Sequence, residues 1–193
     1  MSLDALKKKG KSSLRPFVNL MIALKVSPDT LSVTGFLITL IIGYFYARGE
    51  LVLGGIFILV SGLFDAIDGE VARATGKSSR KGALLDSSID RVSEFFIFGG
   101  LLYYFRANTY AFVILYLSLV FSILVSYMRA RGEGLGYSAS SGLMDRSGRM
   151  IYLFFASLFG ERTFISLMTV FMVLTFATVV ERWLILRKIL SEK

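Results

Sequence analysis

The chain has no cysteine and no histidine among its 193 residues. Those two absences remove whole chemistries. Disulfide scaffolds, thiolate zinc sites, haem held by histidine, and Ser-His or Cys-His catalysis each need a residue that is missing. Any metal held here must sit among oxygen ligands, which favours Mg²⁺, Mn²⁺ or Ca²⁺. A general base must be a carboxylate, a lysine or a tyrosine. Charge is also scarce, at 19% of residues, against 54% apolar. A soluble domain of this length needs more polar surface to cover its core. The apolar residues fall in long runs rather than stripes at helical spacing, so lipid is the expected solvent. In that setting the net charge of +8 marks cytoplasmic loops and anionic headgroups, and no nucleic-acid partner is expected.

A span needs about 20 mostly apolar residues. Six segments qualify as candidates, at 31–48, 51–72, 82–105, 108–130, 145–160 and 163–186. The fold expected is all-α and polytopic, a single membrane domain over 1–193 with a six-helix core from 27 onward. Residues 1–26 differ: a basic cluster (Lys7, Lys8, Lys9, Lys11) precedes Leu14, Phe17, Val18, Met21 and Leu24. That pattern suits an amphipathic helix lying on an anionic leaflet. A signal peptide is the rival, but no small-residue cleavage site follows. Ser27-Pro28-Asp29-Thr30 then reads as a helix start, with Ser27 as cap and Pro28 in the first turn. Of the 22 Lys and Arg, 19 lie in segments 1–26, 73–91, 129–149 and 182–193, and only Arg48, Arg106 and Arg162 lie at the opposite ends. The positive-inside bias places both termini on the cytoplasmic side of the cell membrane.

Carboxylates occur where a membrane segment should avoid them. The second span ends FDAIDGEVAR, with Asp65 and Asp68 at i and i+3. The third begins GALLDSSIDRVSE, with Asp86 and Asp90 at i and i+4. Each pair shares one helix face. The two spans are joined by a short loop and are expected as antiparallel neighbours, with all four carboxylates at one depth. Such a group repels itself strongly unless cations compensate. Two divalent ions about 4 Å apart would supply the charge and clamp a phosphoryl transfer. Gly62, Gly69 and Ala72 would let a substrate approach the backbone. The competing reading for any single aspartate is a turn or a structural ion pair with Arg73 or Arg91. An EF-hand is excluded, because its spacing and twelfth-position glutamate are absent.

These residues form Asp65-x2-Asp68-Gly69-x2-Ala72-Arg73-x8-Gly82-x3-Asp86-x3-Asp90, eight fixed positions over 26 residues. The string resembles the signature of the CDP-alcohol phosphotransferase family, with no departure at a defining position. The resemblance implies a transferase that moves a lipid phosphate from a CDP-lipid to an alcohol and releases CMP. It implies that Asp65, Asp68 and Asp86 bind a first Mg²⁺ or Mn²⁺, and that Asp65, Asp86 and Asp90 bind a second. Asp90 would also be the base for the acceptor hydroxyl. Gly69 and Arg73 would contact the CDP moiety, with Ser79, Pro28, Asp29 and Thr30 enclosing the nucleotide. A homodimer, with lipid tails entering sideways from the bilayer, is implied too.

Four arginines bear on the acceptor: Arg129 and Arg131 in SYMRARGEGLG, Arg149, and Arg182. The purely apolar part of the fifth span, 150–159, is too short to cross a bilayer, so its helix must include Arg146 or Arg149. Such arginines would make a second anion pocket. Snorkelling anchors are the competing reading, for Arg187, Lys188 and Arg146 in particular. By resemblance this set is closest to the family members that use inositol phosphate, the phosphatidylinositol-phosphate and archaetidylinositol-phosphate synthases. In those, a lysine often stands at the position of Arg129. Glycerol phosphate is the nearest rival acceptor, and serine needs no phosphate pocket. A divalent-cation transporter and a prenyl transferase are the other classes open, although clustered carboxylates fit a pore poorly and the Asp-Gly-x2-Ala-Arg string fits neither.

Overall fold

The computed structural model describes residues 14–77, 79–137 and 144–191. The basic cluster at Lys7 to Lys11 lies outside these residues. Among them are seven α-helices and no strand: α1 (Leu14–Ala23), α2 (Pro28–Ala47), α3 (Leu51–Ala74), α4 (Arg80–Tyr104), α5 (Thr109–Gly134), α6 (Arg146–Ser157) and α7 (Glu161–Ser191).

Several ends are fixed by side chains that satisfy the orphan amides of a first turn. Ser27 Oγ accepts from the Thr30 amide at 3.1 Å, with Pro28 opening α2. Ser79 does the same for Gly82 at the start of α4, Asn108 for Ala111 on α5, and Asp145 for Gly148 on α6. Helix α3 stops where Gly76 turns to φ +65°, which lets the Lys77 amide reach back to the Ala72 carbonyl at 3.0 Å.

All six expected membrane segments are helical, but not all are spans by length and composition. Four helices, α2, α3, α5 and α7, are long and apolar enough to cross a membrane. Helix α4 has the length, 25 residues, but carries Arg80, Lys81, Asp86, Asp90, Arg91 and Glu94 within its first 15. Helix α6 has 12 residues, about 18 Å of rise against a hydrocarbon core of about 30 Å.

The structure also corrects the expected pairing of the second and third spans. Helices α3 and α4 pack mainly on α2, which lies between them, and not on each other. Small residues on α2 make this possible. Gly35 lets α3 approach through Phe64 and Ser61. At the α4 crossing, a Cβ on Gly43 would lie 2.7 Å from the Phe96 carbonyl oxygen, and one on Gly100 would overlap the Gly43 carbonyl. With α2 as the wedge, the acidic end of α3 and the acidic start of α4 converge across a gap instead of a packed seam.

The remaining helices close the bundle. Helix α6 packs on α3 and α7, and α5 packs along α7. Ile42, Tyr46, Phe98, Leu101, Leu115, Leu153, Phe164 and Phe171 form the buried core, with the Tyr46 hydroxyl 2.7 Å from Ser157 Oγ. Helix α1 docks through Val18 on Leu31, Ile67 and Val71. Its Phe17 and Leu20 remain exposed, so it is apolar on more than the face it buries.

Candidate active site

One ligand oxygen each from Asp65, Asp68 and Asp86 lie within 4.8 Å of one another. Asp68 is buried, and Ser32 Oγ on α2 donates to its Oδ2 at 2.6 Å. Oxygens that share one hard cation bound at about 2.0–2.6 Å lie no more than about 4–5 Å apart, so the trio fits a divalent ion. Asp90 stands beside this trio, between two guanidinium groups. Its Oδ1 is 2.7 Å from Arg146 Nη2 and its Oδ2 is 3.3 Å from Arg91 Nη2. Arg146 also donates from Nη1 to Asp65 Oδ1 at 2.9 Å. One arginine from α6 therefore bridges the carboxylates of α3 and α4.

Three cavities meet at these residues. The first, about 180 Å³, is walled by Pro28, Asp29, Gly69, Ala72, Arg73 and Ser79. Arg73 is exposed and pairs with Glu70 at 2.9 Å, and a Cβ on Gly69 would come within 3.3 Å of its guanidinium. Thr30 is not in that wall. It is exposed, and its hydroxyl sits 2.7 Å from Ser27 Oγ, within the α2 cap.

The second cavity, about 520 Å³, opens between α3 and α6. Ile58, Leu59, Gly62, Met150 and Ile151 make its apolar wall, and Asp65, Asp68 and Arg146 its polar end. A Cβ on Gly62 would meet nothing within 4 Å, and Leu59 and Ile151 are exposed. An amphiphile with its headgroup at the carboxylates and its tails along α3 and α6 matches this polarity.

The third cavity, about 390 Å³, lies on the opposite side of Asp86 and Asp90 and collects Arg91, Arg129, Arg146, Arg149 and Arg182. Arg149 is 0% exposed; it donates to Met144 O at 3.0 Å, to Ser126 Oγ at 3.1 Å, and to the Glu94 carboxylate. Arg182, 2% exposed, donates to Val125 O at 2.7 Å. Arg129 is half-exposed and pairs with Glu133 at 2.9 Å. Arg131 is exposed and lies outside this wall.

Sequence reasoning missed Arg146 as a partner of the carboxylates, along with Ser32 and Ser126, whereas the ion pair it weighed between an aspartate and Arg91 is present at Asp90. Ser32 had a signal, one turn beyond Pro28 on the face of α2 that meets α3. Arg146 had none, because a basic residue at a helix start reads the same whether it snorkels or pairs.

Comparison with known proteins agrees with this geometry. Residues 25–190 match the family model for CDP-alcohol phosphatidyltransferases. The chain is 38% identical over 159 residues to the archaetidylinositol phosphate synthase of Pyrococcus horikoshii, covering 81% of this chain and 82% of that one. It is 38% identical over 144 residues to the phosphatidylinositol phosphate synthase of Streptomyces avermitilis, covering 72% of this chain and 59% of that one. The fold resembles the crystal structure of Mycobacterium tuberculosis phosphatidylinositol phosphate synthase with CDP-DAG bound, with TM-score 0.81, 26% identity, and coverage of 89% and 92% of the two chains. The same enzyme in complex with manganese and citrate gives TM-score 0.82 at 25% identity, with coverage of 89% and 87%. A carboxylate cluster at the meeting point of a polar cavity, an amphipathic cavity and an arginine-lined one suits this chemistry, and the chain belongs to the CDP-alcohol phosphatidyltransferase family of metal-dependent, membrane-helical enzymes of phospholipid synthesis.

Proposed function

We propose that the enzyme transfers the lipid phosphate of a CDP-lipid, CDP-diacylglycerol or CDP-archaeol, to inositol phosphate, with release of CMP. The observation that carries the acceptor is the pair of buried arginines, Arg149 and Arg182, on the side of Asp90 away from Arg73. A nucleotide diphosphate needs one cationic wall; a second one, gathered around a separate cavity, suits an acceptor that brings its own anion. The names of the relatives point the same way.

In this reading Asp65, Asp68 and Asp86 hold one Mg²⁺ or Mn²⁺, and Asp65, Asp86 and Asp90 a second. When bound, the ions neutralise the pyrophosphate and stabilise charge on the transferring phosphorus and the departing CMP. Arg73, Gly69, Ser79 and the Pro28-Asp29-Thr30 turn hold the nucleotide, Thr30 by shaping that turn. The lipid chains lie along α3 and α6. Arg149, Arg182 and Arg129 hold the acceptor phosphate, with Arg131 at the margin. Asp90 accepts the proton of the acceptor hydroxyl as that oxygen attacks the β-phosphorus, and the bond to the CMP oxygen breaks. Its position between Arg91 and Arg146 keeps its oxygens oriented toward the acceptor cavity.

The wider assembly follows the same reading. It is one domain of six membrane helices, in which the charged start of α4 and the short α6 are shielded from lipid by their neighbours, and α1 lies on the cytoplasmic leaflet of the cell membrane. Both termini and the site face the cytoplasm, and the chain is a homodimer. The test is CMP release from each CDP-lipid with inositol phosphate, glycerol phosphate, inositol and serine supplied separately. A clear preference for inositol phosphate is expected, and equal or greater turnover with glycerol phosphate would replace it as the acceptor.

A further inference from the structure

Glu94 is 1% exposed and has no role in the chemistry above. It stands four residues beyond Asp90, which is four beyond Asp86, so the three acids share one face of α4. A buried carboxylate is costly unless paired. Glu94 meets that condition through an ion pair with Arg149, itself fully buried on α6. Its second oxygen, Oε2, has no hydrogen-bond partner among the described residues, and neither has Arg146 Nε. Both residues line a cavity of about 20 Å³ together with Thr39, Ser61 and Ser93, enough room for a single water among several polar groups.

Resting on the proposed acceptor pocket, we infer that Glu94 is the positioning residue of that pocket: it fixes the Arg149 guanidinium at a set distance from Asp90. The two Nη2 protons of Arg149 go to Glu94 and Ser126, and Nη1 gives one to Met144 O. The remaining N–H groups then point in a direction dictated by those three anchors. Because Asp90 and Glu94 lie one turn apart on a single helix, the spacing between base and acceptor phosphate is built into α4. Arg149 comes from a different helix, and without Glu94 nothing on α4 would register it.

The test uses the full-length protein in lipid nanodiscs and compares wild type, Glu94→Asp, Glu94→Gln, Arg149→Gln and the Glu94→Gln/Arg149→Gln double variant. Glu94→Asp keeps the charge balance, and with it the fold, while withdrawing the carboxylate by one methylene. It is expected to raise the KM for inositol phosphate roughly tenfold, the scale of one charge-assisted hydrogen bond, with the KM for CDP-lipid within about twofold of wild type. The double variant should be no worse than Arg149→Gln alone, because both changes remove one unit. Glu94→Asp with a wild-type acceptor KM overturns the inference, as does a double variant whose defects multiply. If Arg149→Gln itself leaves the acceptor KM unchanged, the acceptor pocket fails first; if Arg149→Gln shifts it and both Glu94 variants do not, only the role of Glu94 fails.

Discussion

The carboxylates and the arginines that face each other across Arg146 are assembled by different rules. Asp65 with Asp68, and Asp86 with Asp90, are each placed by spacing within one helix, and a single crossing over α2 brings the pairs together. The arginines come singly, Arg129 from α5, Arg149 from α6 and Arg182 from α7, and meet only because three helices pack. A metal centre is intolerant of ångström-scale error, and local spacing on rigid helices supplies that accuracy. A pocket for a soluble phosphate tolerates more, and a scattered set of long side chains suffices.

This contrast ranks the consequences of mutation. The largest effect is expected on the carboxylate side. Asp86→Asn should lower turnover about 10³-fold, the equivalent of several kcal/mol of transition-state stabilisation, and chelation with EDTA should abolish activity in the wild type until Mn²⁺ or Mg²⁺ is restored. Full turnover after exhaustive chelation would remove the basis for treating the two sides differently.

Next comes Arg182→Gln, at roughly 10- to 100-fold in the KM for inositol phosphate, since the buried guanidinium is a charged donor. Turnover at saturating acceptor should change less. A fall in kcat with an unchanged acceptor KM would mean that Arg182 supports the bundle and not the acceptor. Smaller again is Arg146→Gln, which touches both sides. Removing a cation from 2.9 Å of Asp65 and 2.7 Å of Asp90 leaves those carboxylates less neutralised. Binding of Mn²⁺, read by electron paramagnetic resonance, should tighten roughly threefold to tenfold. An unchanged Mn²⁺ affinity would make Arg146 a bystander.

The acidic side was readable in the sequence because its meaning lies in short intervals: i, i+3 and i, i+4 need only a helix to become a shared face. The helices themselves were readable from their apolar runs, with α2 starting at the Ser27-Pro28 pair and α6 starting at Arg146. The wedge position of α2 was not. Gly35, Gly43 and Gly100 acquire their role only against Phe64, Phe96 and each other, and a glycine in an apolar run does not say which helix will approach it. Short loops favoured pairing α3 with α4, whereas close backbone approach at these glycines favours α2 as the common partner of both. Arg146 and Glu94 were equally opaque, since the ion pairs Arg146 makes with Asp65 and Asp90 and Glu94 makes with Arg149 join residues more than 50 positions apart and leave no local trace.

The smallest expected effect separates two residues that the sequence placed together. Arg129 and Arg131 are two apart on α5, and residues at that interval point to different sides of a helix. A single pocket cannot easily receive both from one straight helix. Arg129 reaches the arginine-lined cavity while pairing with Glu133; Arg131 is exposed outside it. A half-exposed charge contributes little, so Arg129→Lys, which keeps the charge but loses the planar fork, should raise the acceptor KM by about threefold or less. Arg131→Ala should leave it within experimental error. An Arg131→Ala defect equal to that of Arg182→Gln would mean that the cavity closes around its substrate differently, with the last turn of α5 rotated inward.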